Sequence, residues 1–325
     1  MKIVVTGAAG FIATNLLPRL LEDGHEVHGI DNYFLGKRDY VARSAGAPNF
    51  HFHEFDLLDR ERVVALFQDV RPDRVWHLAA NSDISFGTTY TDFDLKGGTI
   101  VTYNLLEAMR LAGSKELLFS SSGSVYGEPS VLPTPEDYGP LFPISLYAAS
   151  KIACETLITA FAANYGIRCW IFRFGNIAGG FPTHGVIHDF VLKLQRAPTR
   201  LEILGDGNQS KPYVHVEDCL DGIMFGHARA GESVNCFNLA VPNWTSVNQI
   251  AAWTIEAMGL DPAAVKIEHT GGSRGWPGDV PKVRLATARM EALGWRPKMS
   301  SDEAVRRSIS ETVEQFTGRA SALRP

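Results

Sequence analysis

The first half of the chain alternates between short apolar runs and longer segments in which apolar residues recur at helical spacing. Such alternation is typical of βαβ units, in which parallel strands are joined by right-handed helical crossovers. It predicts an α/β fold with a doubly wound parallel sheet that carries helices on both faces. The predicted strands are Lys2–Thr6, Glu26–Ile30, Asn49–Glu54, Arg74–Leu78, Glu116–Ser120 and Arg168–Phe172, and the predicted helices lie at 11–22, 59–69, 90–112 and 147–165.

The alternation loosens after Phe174, where residues 175–182 are rich in glycine and are expected to form a loop. The sequence therefore predicts a first domain over 1–175 and a second, smaller α/β domain over 176–325, with some exchange of chain between the two lobes. The predicted elements of the second domain are helices at Val186–Gln195, Ser246–Met258, Thr287–Leu293 and Asp302–Phe316 and strands at Leu201–Leu204 and Cys236–Leu239.

Charge and composition exclude several classes of function. The formal net charge is −5, from 31 basic and 36 acidic residues, so no basic surface for nucleic acid is expected. The first residues lack the features of a signal peptide, and no apolar stretch reaches the length of a membrane span. We therefore expect a cytoplasmic protein with neither nucleic acid nor membrane as a partner.

Cysteine and histidine spacing gives no metal site. The four cysteines form no CxxC pair and are expected to be buried, reduced thiols. His184 and His188 are spaced i, i+4, but the sequence offers no third ligand beside them. No metal is therefore expected.

A glycine-rich turn follows the first predicted strand, in the run Thr6-Gly7-Ala8-Ala9-Gly10-Phe11-Ile12-Ala13. Glycines at a strand-to-helix turn let backbone N–H groups approach a pyrophosphate at the helix N-terminus, as in Rossmann domains. Asp31 ends the second predicted strand, where a carboxylate accepts both ribose hydroxyls of NAD and repels a 2′-phosphate. The sequence predicts a dinucleotide site that takes NAD rather than NADP.

A second pattern points to proton transfer. Tyr147 and Lys151 are four residues apart, so they share one face of a predicted helix. A free tyrosine ionises near pH ~10, and a neighbouring ammonium group favours the phenolate that a base requires. Ser122 lies in a serine-rich turn after the strand that precedes this helix, where its hydroxyl can bond the oxygen that the tyrosine deprotonates.

Further short motifs extend over nearly the whole chain. They are TGAAGFIA, Asp31-Asn32, Asp56-Leu57, His77-Leu78-Ala79-Ala80, FSSSGSVYG, YAASK, Arg173-Phe174-Gly175-Asn176, GDGNQ at 205–209 and Gly294-Trp295. Together they resemble the extended short-chain dehydrogenases/reductases that act on nucleotide-diphosphate sugars, in the NAD-dependent epimerase/dehydratase family. Within that group the chain is most similar to the UDP-glucose 4-epimerase-like branch.

The resemblance implies NAD as the cofactor, bound by the first domain (1–175), and a nucleotide-diphosphate sugar as the substrate, bound by the second domain (176–325). It also implies a role for each matching residue. The catalytic residues that it implies are Ser122, Tyr147 and Lys151. The cofactor-binding residues are Gly7, Gly10, Phe11, Ile12, Asp31, Asn32, Gly36, Asp56, Leu57, Leu78, Ala79, Ala80, Tyr147 and Lys151. The substrate-binding residues are Ser82, Ser122, Asn176, Lys211 and Arg274. In related proteins the helix near residue 104 and the helix after Tyr147 form a dimer interface, so a homodimer is expected.

Departures from related patterns narrow the expected chemistry. Sugar 4,6-dehydratases carry Asp-Glu directly after the catalytic residue, and epimerases that act at carbons 3 and 5 usually carry a cysteine at the second of these positions. Gly123 and Ser124 stand there in this chain, which disfavours both reactions. Gly98 replaces a usual asparagine, and Lys211 replaces a usual arginine. Trp276 stands where a second arginine is usual, with Arg274 two residues earlier.

The combined expectation is an NAD-dependent epimerase of a nucleotide-diphosphate sugar, acting at carbon 4 through transient oxidation to a keto-sugar and return of the hydride. One alternative is an NAD-dependent oxidoreductase of a nucleotide sugar that releases NADH. Others are an epimerase at another carbon or on a heptose, and an NAD-binding scaffold without activity. The scaffold is disfavoured because such proteins usually lose the tyrosine or the lysine, and this chain has both.

Overall fold

The computed structural model describes residues 1–84, 86–276 and 278–323, which divide into two compact units. The first unit comprises Met1–Val125, Phe142–Arg173 and Met224–Phe237. The second comprises Tyr126–Leu141, Phe174–Ile223 and the described part of Asn238–Pro325. The predicted assignment of residues 1–175 to the cofactor and 176–325 to the substrate stays a prediction.

Strands and helices are numbered along the chain. The strands are β1 (Lys2–Thr6), β2 (Glu26–Asp31), β3 (Phe50–Glu54), β4 (Arg74–His77), β5 (Glu116–Ser122), β6 (Arg168–Phe174), β7 (Asn176–Ala178), β8 (Arg200–Ile203), β9 (Ser210–Lys211), β10 (Tyr213–His215), β11 (Val234–Leu239), β12 (Thr245–Ser246) and β13 (Lys266–His269). The helices are α1 (Phe11–Glu22), α2 (Arg38–Ala42), α3 (Arg60–Val70), α4 (Phe86–Thr89), α5 (Val101–Ala112), α6 (Leu146–Tyr165), α7 (Val186–Arg196), α8 (Val216–Arg229), α9 (Val247–Ala257), α10 (Ala288–Leu293) and α11 (Ser301–Thr317).

Seven strands form one sheet in the order β11-β6-β5-β4-β1-β2-β3. The pairs β1–β2, β2–β3, β1–β4 and β4–β5 are parallel. The order reverses at β1, so the chain winds outward in both directions from that strand, and the predicted doubly wound α/β fold is confirmed. Because these paired strands point the same way, the residues that end β1, β2, β4 and β5 meet at the carboxyl edge of the sheet.

The helices of the first unit begin and pack as their sequences require. Asp59 caps α3 by accepting a hydrogen bond from the Arg62 N–H at 3.2 Å, and Ser145 caps α6 in the same way. One hydrophobic core joins strands and helices, with Phe67 of α3 and Leu105 of α5 fully buried in it. This packing fixes α6 against the unit that carries β5.

The predicted continuous helix over 90–112 is wrong in its first half. Residues Leu95–Ile100 form a wider π-helical segment, and the α-helix begins only at Val101. The Ser150 hydroxyl of α6 donates to the carbonyl of Asp94 at 2.7 Å and fills the space beside Gly98. A side chain at position 98 would overlap this hydroxyl, so only glycine fits here and the local turn is set by packing against α6.

The second unit contains three short two-stranded pairs. Strand β7 pairs in parallel with β10, β8 pairs in parallel with β13, and β9 pairs antiparallel with β12. Helices α7, α9 and α11 contribute apolar residues to a second core, which includes Val191, Ile250 and Val305.

Two expectations for this region are corrected. The stretch 175–182 is not all loop, because β7 lies within it, and α8 was not predicted. Glycines flank β7 on both sides, so its sequence favours a turn, and the pairing with β10 imposes the extended conformation.

One expectation about membranes is also corrected. Helix α6 has 20 residues, and an 18-residue window within it has a mean hydropathy of 1.2, so by length and composition it is long and apolar enough to cross a membrane. The core helix of a soluble protein meets the same criteria, and α6 buries the ionisable side chains of Lys151 and Glu155 within the first unit.

The packing of Gly98 against Ser150 gives a prediction about stability. Gly98→Ala is expected to lower the free energy of unfolding by about 1–3 kcal/mol, because the new methyl group overlaps the Ser150 hydroxyl. In a Ser150→Ala background the same change is expected to cost little or to stabilise, since that hydroxyl is gone and alanine favours a helix over glycine. Urea unfolding of the four proteins measures the difference, and an equal cost in both backgrounds would contradict this explanation.

Candidate active site

One face of α6 is attached to the last three residues of β5. Tyr147, Lys151 and Glu155 follow one another at helical spacing of four, so all three point toward the strand. The Lys151 ammonium donates to the carbonyl of Ser120 at 2.6 Å and lies 5.7 Å from the centroid of the Tyr147 ring. The Ser122 hydroxyl is hydrogen-bonded to the Tyr147 phenol. The three predicted catalytic residues are therefore brought together in the first unit.

Burial moves both ionisable groups of this pair toward their neutral forms. It raises the pKa of Tyr147 to about 12, although the hydrogen bond from Ser122 acts in the opposite direction. Burial also lowers the pKa of Lys151 to about 8, so the ammonium is charged at neutral pH and close to titration. A base in this position needs its phenolate stabilised, and the charged Lys151 favours that form.

Below Lys151, a buried ion pair holds the helix to the sheet. Glu155 accepts from Arg173 of β6 at 2.6 Å and from the Ser121 hydroxyl at 2.5 Å. All three side chains are buried, so this carboxylate has both charge and hydrogen bonds satisfied. The ion pair fixes how far α6 stands from the end of β5, and thus where Tyr147 lies relative to Ser122.

Asp94 is a site residue that the sequence analysis missed. Its carboxyl is buried, and one oxygen accepts from the Asn81 side chain at 3.0 Å. The other oxygen has no hydrogen-bond partner among the described residues. Burial raises the pKa of Asp94, and its negative charge raises the pKa of both Tyr147 and Lys151. No motif marks Asp94, because it reaches the site through the π-helical segment that follows it.

A buried histidine shapes the neighbouring strand end. His77 is fully buried, and desolvation lowers its pKa to about 3, so the ring is neutral. Its Nδ1 lies 2.8 Å from the Thr6 hydroxyl and its Nε2 lies 2.9 Å from the Thr102 hydroxyl. Thr6 also accepts from the backbone N–H of Ala79 at 3.2 Å. The predicted cofactor residues Leu78, Ala79 and Ala80 therefore follow a strand end that is fixed to β1.

The glycine-rich turn has the features that a dinucleotide pyrophosphate requires. Gly7 has φ +70°, and a Cβ there would lie 2.9 Å from the backbone nitrogen of Ala79, so glycine is required on both grounds. Gly10 precedes α1, whose first turn contains Phe11 and Ile12 and has no capping side chain and no acidic residue. The free N–H groups of that turn suit an anion.

Asp31 lies beside this turn at the end of β2. Its carboxylate accepts from the backbone N–H groups of Ala9 at 3.0 Å and of Tyr33 at 2.7 Å, and burial raises its pKa. Gly36 packs against Ala9 and Asp31, since a Cβ at position 36 would lie 2.6 Å from the Ala9 methyl and 3.0 Å from an Asp31 carboxylate oxygen. A carboxylate has about four acceptor sites, so this one retains capacity for ribose hydroxyls.

The predicted cofactor-binding residues Asn32, Asp56 and Leu57 divide into two kinds. Asn32 donates to the Asp56 carboxylate at 2.8 Å, so these two exposed residues form one polar group. Leu57 is buried among the core residues, and its carbonyl accepts from the Asn104 side chain at 2.9 Å. The side chain of Leu57 therefore serves the core.

In the second unit, the two cations among the predicted substrate-binding residues both form ion pairs with carboxylates. Lys211 donates to Asp279 at 2.7 Å, and its ammonium lies 5.2 Å from the centroid of the Trp276 ring. Arg274 donates to Glu128 at 2.6 Å and to the Asp279 carbonyl at 2.7 Å. The two cations are thus linked through one buried aspartate.

Arg284 is a further cation of the second unit that no sequence motif marks. It donates to the carbonyl of Ser210 at 3.1 Å and stacks on Trp244, with 3.6 Å between the guanidinium carbon and the ring centroid. Among the described residues it forms no ion pair with a carboxylate. Of the remaining predicted substrate residues, Asn176 begins β7 and its side chain is hydrogen-bonded to the Tyr213 phenol, and Ser82 is exposed in the first unit.

Comparison with known proteins agrees with this geometry. The model of the NAD-dependent epimerase/dehydratase family matches residues 3–240. The chain belongs to this family.

Known members of the family are similar over almost the full chain. The UDP-glucose 4-epimerase of Mycolicibacterium smegmatis is 32% identical and is matched over 98% of this chain and 100% of its own. The Thermotoga maritima UDP-glucose 4-epimerase, solved with UDP-glucose, is 30% identical, with a TM-score of 0.86 over 97% of this chain and 100% of its own. The Thermus thermophilus UDP-glucose 4-epimerase, solved in complex with NAD, is 30% identical, with a TM-score of 0.84 over 96% and 99% of the two chains.

Family membership confirms two expectations at once. The chain uses NAD, and its relatives and structural neighbours are NAD-dependent nucleotide-sugar epimerases. The individual roles of the site residues stay predictions of the family resemblance and of the contacts described above.

The surroundings of Tyr147 predict opposite pKa shifts in two variants. Ser122→Ala is expected to raise the pKa of Tyr147, because a hydrogen bond to the phenolate is lost. Asp94→Asn is expected to lower it, because a nearby negative charge is removed. Ultraviolet absorbance of tyrosinate, with the same protein carrying Tyr147→Phe subtracted each time, isolates this one titration. Shifts in the same direction, or none, would contradict the proposed electrostatics.

Proposed function

We propose that the protein interconverts two nucleotide-diphosphate sugars that differ in configuration at carbon 4, with NAD as a retained cofactor. The observation that carries this proposal is the attachment of Tyr147 and Lys151 on α6 to Ser120 and Ser122 at the end of β5. This places a proton acceptor, a cation and a hydroxyl donor together at the sheet edge where open α/β folds bind ligands.

The first unit offers a matched set of groups for NAD. The uncapped first turn of α1 would bind the pyrophosphate, Asp31 would accept the ribose hydroxyls, and Lys151 would hold the nicotinamide ribose. When bound, NAD supplies the reversible redox chemistry that takes carbon 4 of the sugar to the ketone level and back.

The residues of the chain handle the proton. The Tyr147 phenolate takes the proton of the sugar 4-hydroxyl, holds it at its oxygen and later returns it. When the substrate is bound, Ser122 would turn its single O–H from Tyr147 to the same sugar oxygen, and Ser124 holds the Ser122 oxygen in place by donating to it at 2.8 Å. The positive charge of Lys151 favours the phenolate, and Cys154, Glu155 and Asp94 raise the pKa of Lys151 against the effect of burial.

Other reactions on a nucleotide sugar differ from this one in the acid–base groups that they need or in what happens to the cofactor. Dehydration and epimerisation at carbons 3 and 5 require an acid or base next to Ser122, and Gly123 and Ser124 offer neither. A net oxidoreductase would release reduced NAD, whereas the proposed reaction has no net redox change.

The diphosphate of the substrate would bind in the second unit. Lys211, Arg274 and Arg284 provide three cations, and the first two would exchange a carboxylate for phosphate oxygens. The relative from Mycolicibacterium smegmatis is named for UDP-glucose, and the Thermotoga maritima enzyme was solved with UDP-glucose. These names support a uridine diphosphate hexose as the substrate.

Location and assembly belong to the same proposal. Ile100, Tyr103 and Leu111 are exposed apolar residues of α5 or its start, and Leu146 and Tyr165 are exposed at the two ends of α6. Apolar side chains that are exposed on neighbouring helices support a homodimer formed through α5 and α6. We propose a cytoplasmic homodimer, and the ratio of solution mass to chain mass tests its oligomeric state.

Tyr147→Phe is expected to reduce turnover of UDP-glucose to UDP-galactose by about 10²–10⁴-fold, the usual contribution of a general acid–base group. Tyr165→Phe is the matched control, since Tyr165 is an exposed tyrosine on the same helix. Chromatography of the products gives both rates, and NAD released on denaturation is measured alongside. Near-normal turnover in Tyr147→Phe would overturn the assignment of this residue.

The same preparation separates the two enzyme classes. Stoichiometric NAD in the purified protein, with a product of unchanged mass, is the expected result. A product that forms only when NAD is added and consumed would instead establish the oxidoreductase.

A further inference from the structure

A cluster of imidazole and carboxylate groups lies on the sheet away from the catalytic residues. Strands β2 and β3 pair in parallel with His28 opposite His51 and Ile30 opposite His53. Side chains alternate along a strand, so Glu26, His28, His51 and His53 all lie on the same face. Strand β3 is an edge strand of the seven-stranded sheet, so the cluster lies at the sheet border.

The contacts centre on the buried His28. Its Nε2 lies 3.0 Å from a carboxylate oxygen of Glu26, and its Nδ1 lies 3.0 Å from Nε2 of His53. The ring centroids of His28 and His51 are 4.8 Å apart. One ligand atom each from Glu26, His28 and His51 can be chosen such that all lie within 4.8 Å of one another.

We propose that Glu26, His28 and His51 form a binding site for a divalent transition-metal ion of the Zn²⁺ type. His53 would orient the His28 ring through the hydrogen bond at its Nδ1. Two imidazoles and a carboxylate are a ligand set that Zn²⁺ accepts, with water completing the shell. Ligands of a tetrahedral zinc ion stand about 3.4 Å apart. The ligand atoms must therefore move closer together than the 4.8 Å found here. The side chains of the half-exposed Glu26 and the exposed His51 are free to move, whereas His28 is fixed by burial.

The contact between His28 and His53 supplies what a metal-bound histidine needs. When Nε2 of His28 binds the metal, Nδ1 of the same ring carries the hydrogen atom and donates a hydrogen bond to Nε2 of His53. Outer hydrogen bonds of this kind fix the tautomer and orientation of a ligating imidazole. The nearby cations Lys2 and Arg62 are both exposed, so their charges are screened by solvent.

The site is separate from the cofactor turn. Glu26 begins β2 and Asp31 ends it, so five residues at about 3.3 Å each place roughly 16 Å of strand between them. The metal would therefore join β2 to the edge strand β3 rather than act on the substrate. No sequence motif marks this cluster, because the ligands come from two strands and neither strand alone offers three.

The test uses the full-length protein as purified, treated with a chelator and then dialysed. Titration with Zn²⁺ alone in a calorimeter is expected to show one equivalent per chain, and Co²⁺ is expected to give the visible absorption of a low-coordinate site. His51→Ala is expected to abolish both signals. His53→Ala is expected to weaken Zn²⁺ binding about 10–100-fold, as loss of an outer hydrogen bond does.

His269→Ala is the matched control, because it removes an exposed histidine of the second unit. It is expected to leave both signals unchanged. Absence of Zn²⁺ binding in the unaltered protein would overturn the proposal, as would binding that is equally strong in His51→Ala. Neither result depends on the enzymatic activity, so the proposed epimerase stands or falls separately.

Discussion

The hydrogen bond from Lys151 to the carbonyl of Ser120 is the contact on which the catalytic group depends. It seats a buried ammonium at the end of a central strand, one helical turn below Tyr147. The ion pair of Glu155 with Arg173 fixes the next turn of α6, and Ser122 meets the first. Each turn of this part of the helix is therefore tied to the sheet, and together these contacts determine the position of the phenol.

The environment of Tyr147 and Lys151 has opposing effects on their pKa values. Burial raises the pKa of Tyr147 and lowers the pKa of Lys151, so it favours the neutral form of both groups. The hydrogen bond from Ser122 offsets the first effect. Cys154, Glu155 and Asp94 offset the second, although the charge of Asp94 also raises the pKa of Tyr147. The ionisation of a buried pair of this kind responds strongly to nearby charge, so the pKa of Tyr147 depends on which charged groups surround it.

Much of the fold and part of the site could be predicted from sequence because their signals are local. The glycine turn, Asp31 and the spacing of Tyr147 from Lys151 each lie within one or two elements. The π-helical segment could not be predicted, because the Ser150 hydroxyl that excludes a side chain at Gly98 comes from another helix. Strand β7 could not be predicted for the same reason, because only its pairing with the distant strand β10 holds it in an extended conformation.

Contacts between distant residues also changed the interpretation of single residues. Lys211 stands where an arginine is usual, and Arg274 lies two residues before the position of a second usual arginine. Asp279 and Glu128 hold these two cations in ion pairs that no sequence spacing reveals. The cluster around His28 likewise exists only because β2 and β3 are neighbours. The sequence shows which residues could bind a ligand, but it does not show which distant side chains they contact in the fold.

The measurement that tests the central claim most directly follows the hydrogen on carbon 4 of the sugar. UDP-glucose carrying deuterium at carbon 4 is incubated with the protein in ordinary water, and the product is examined by mass spectrometry and NMR. Direct oxidation and return within one site predicts a UDP-galactose that keeps the label at carbon 4. Loss of the label to water, or its appearance in free reduced NAD, would contradict the account.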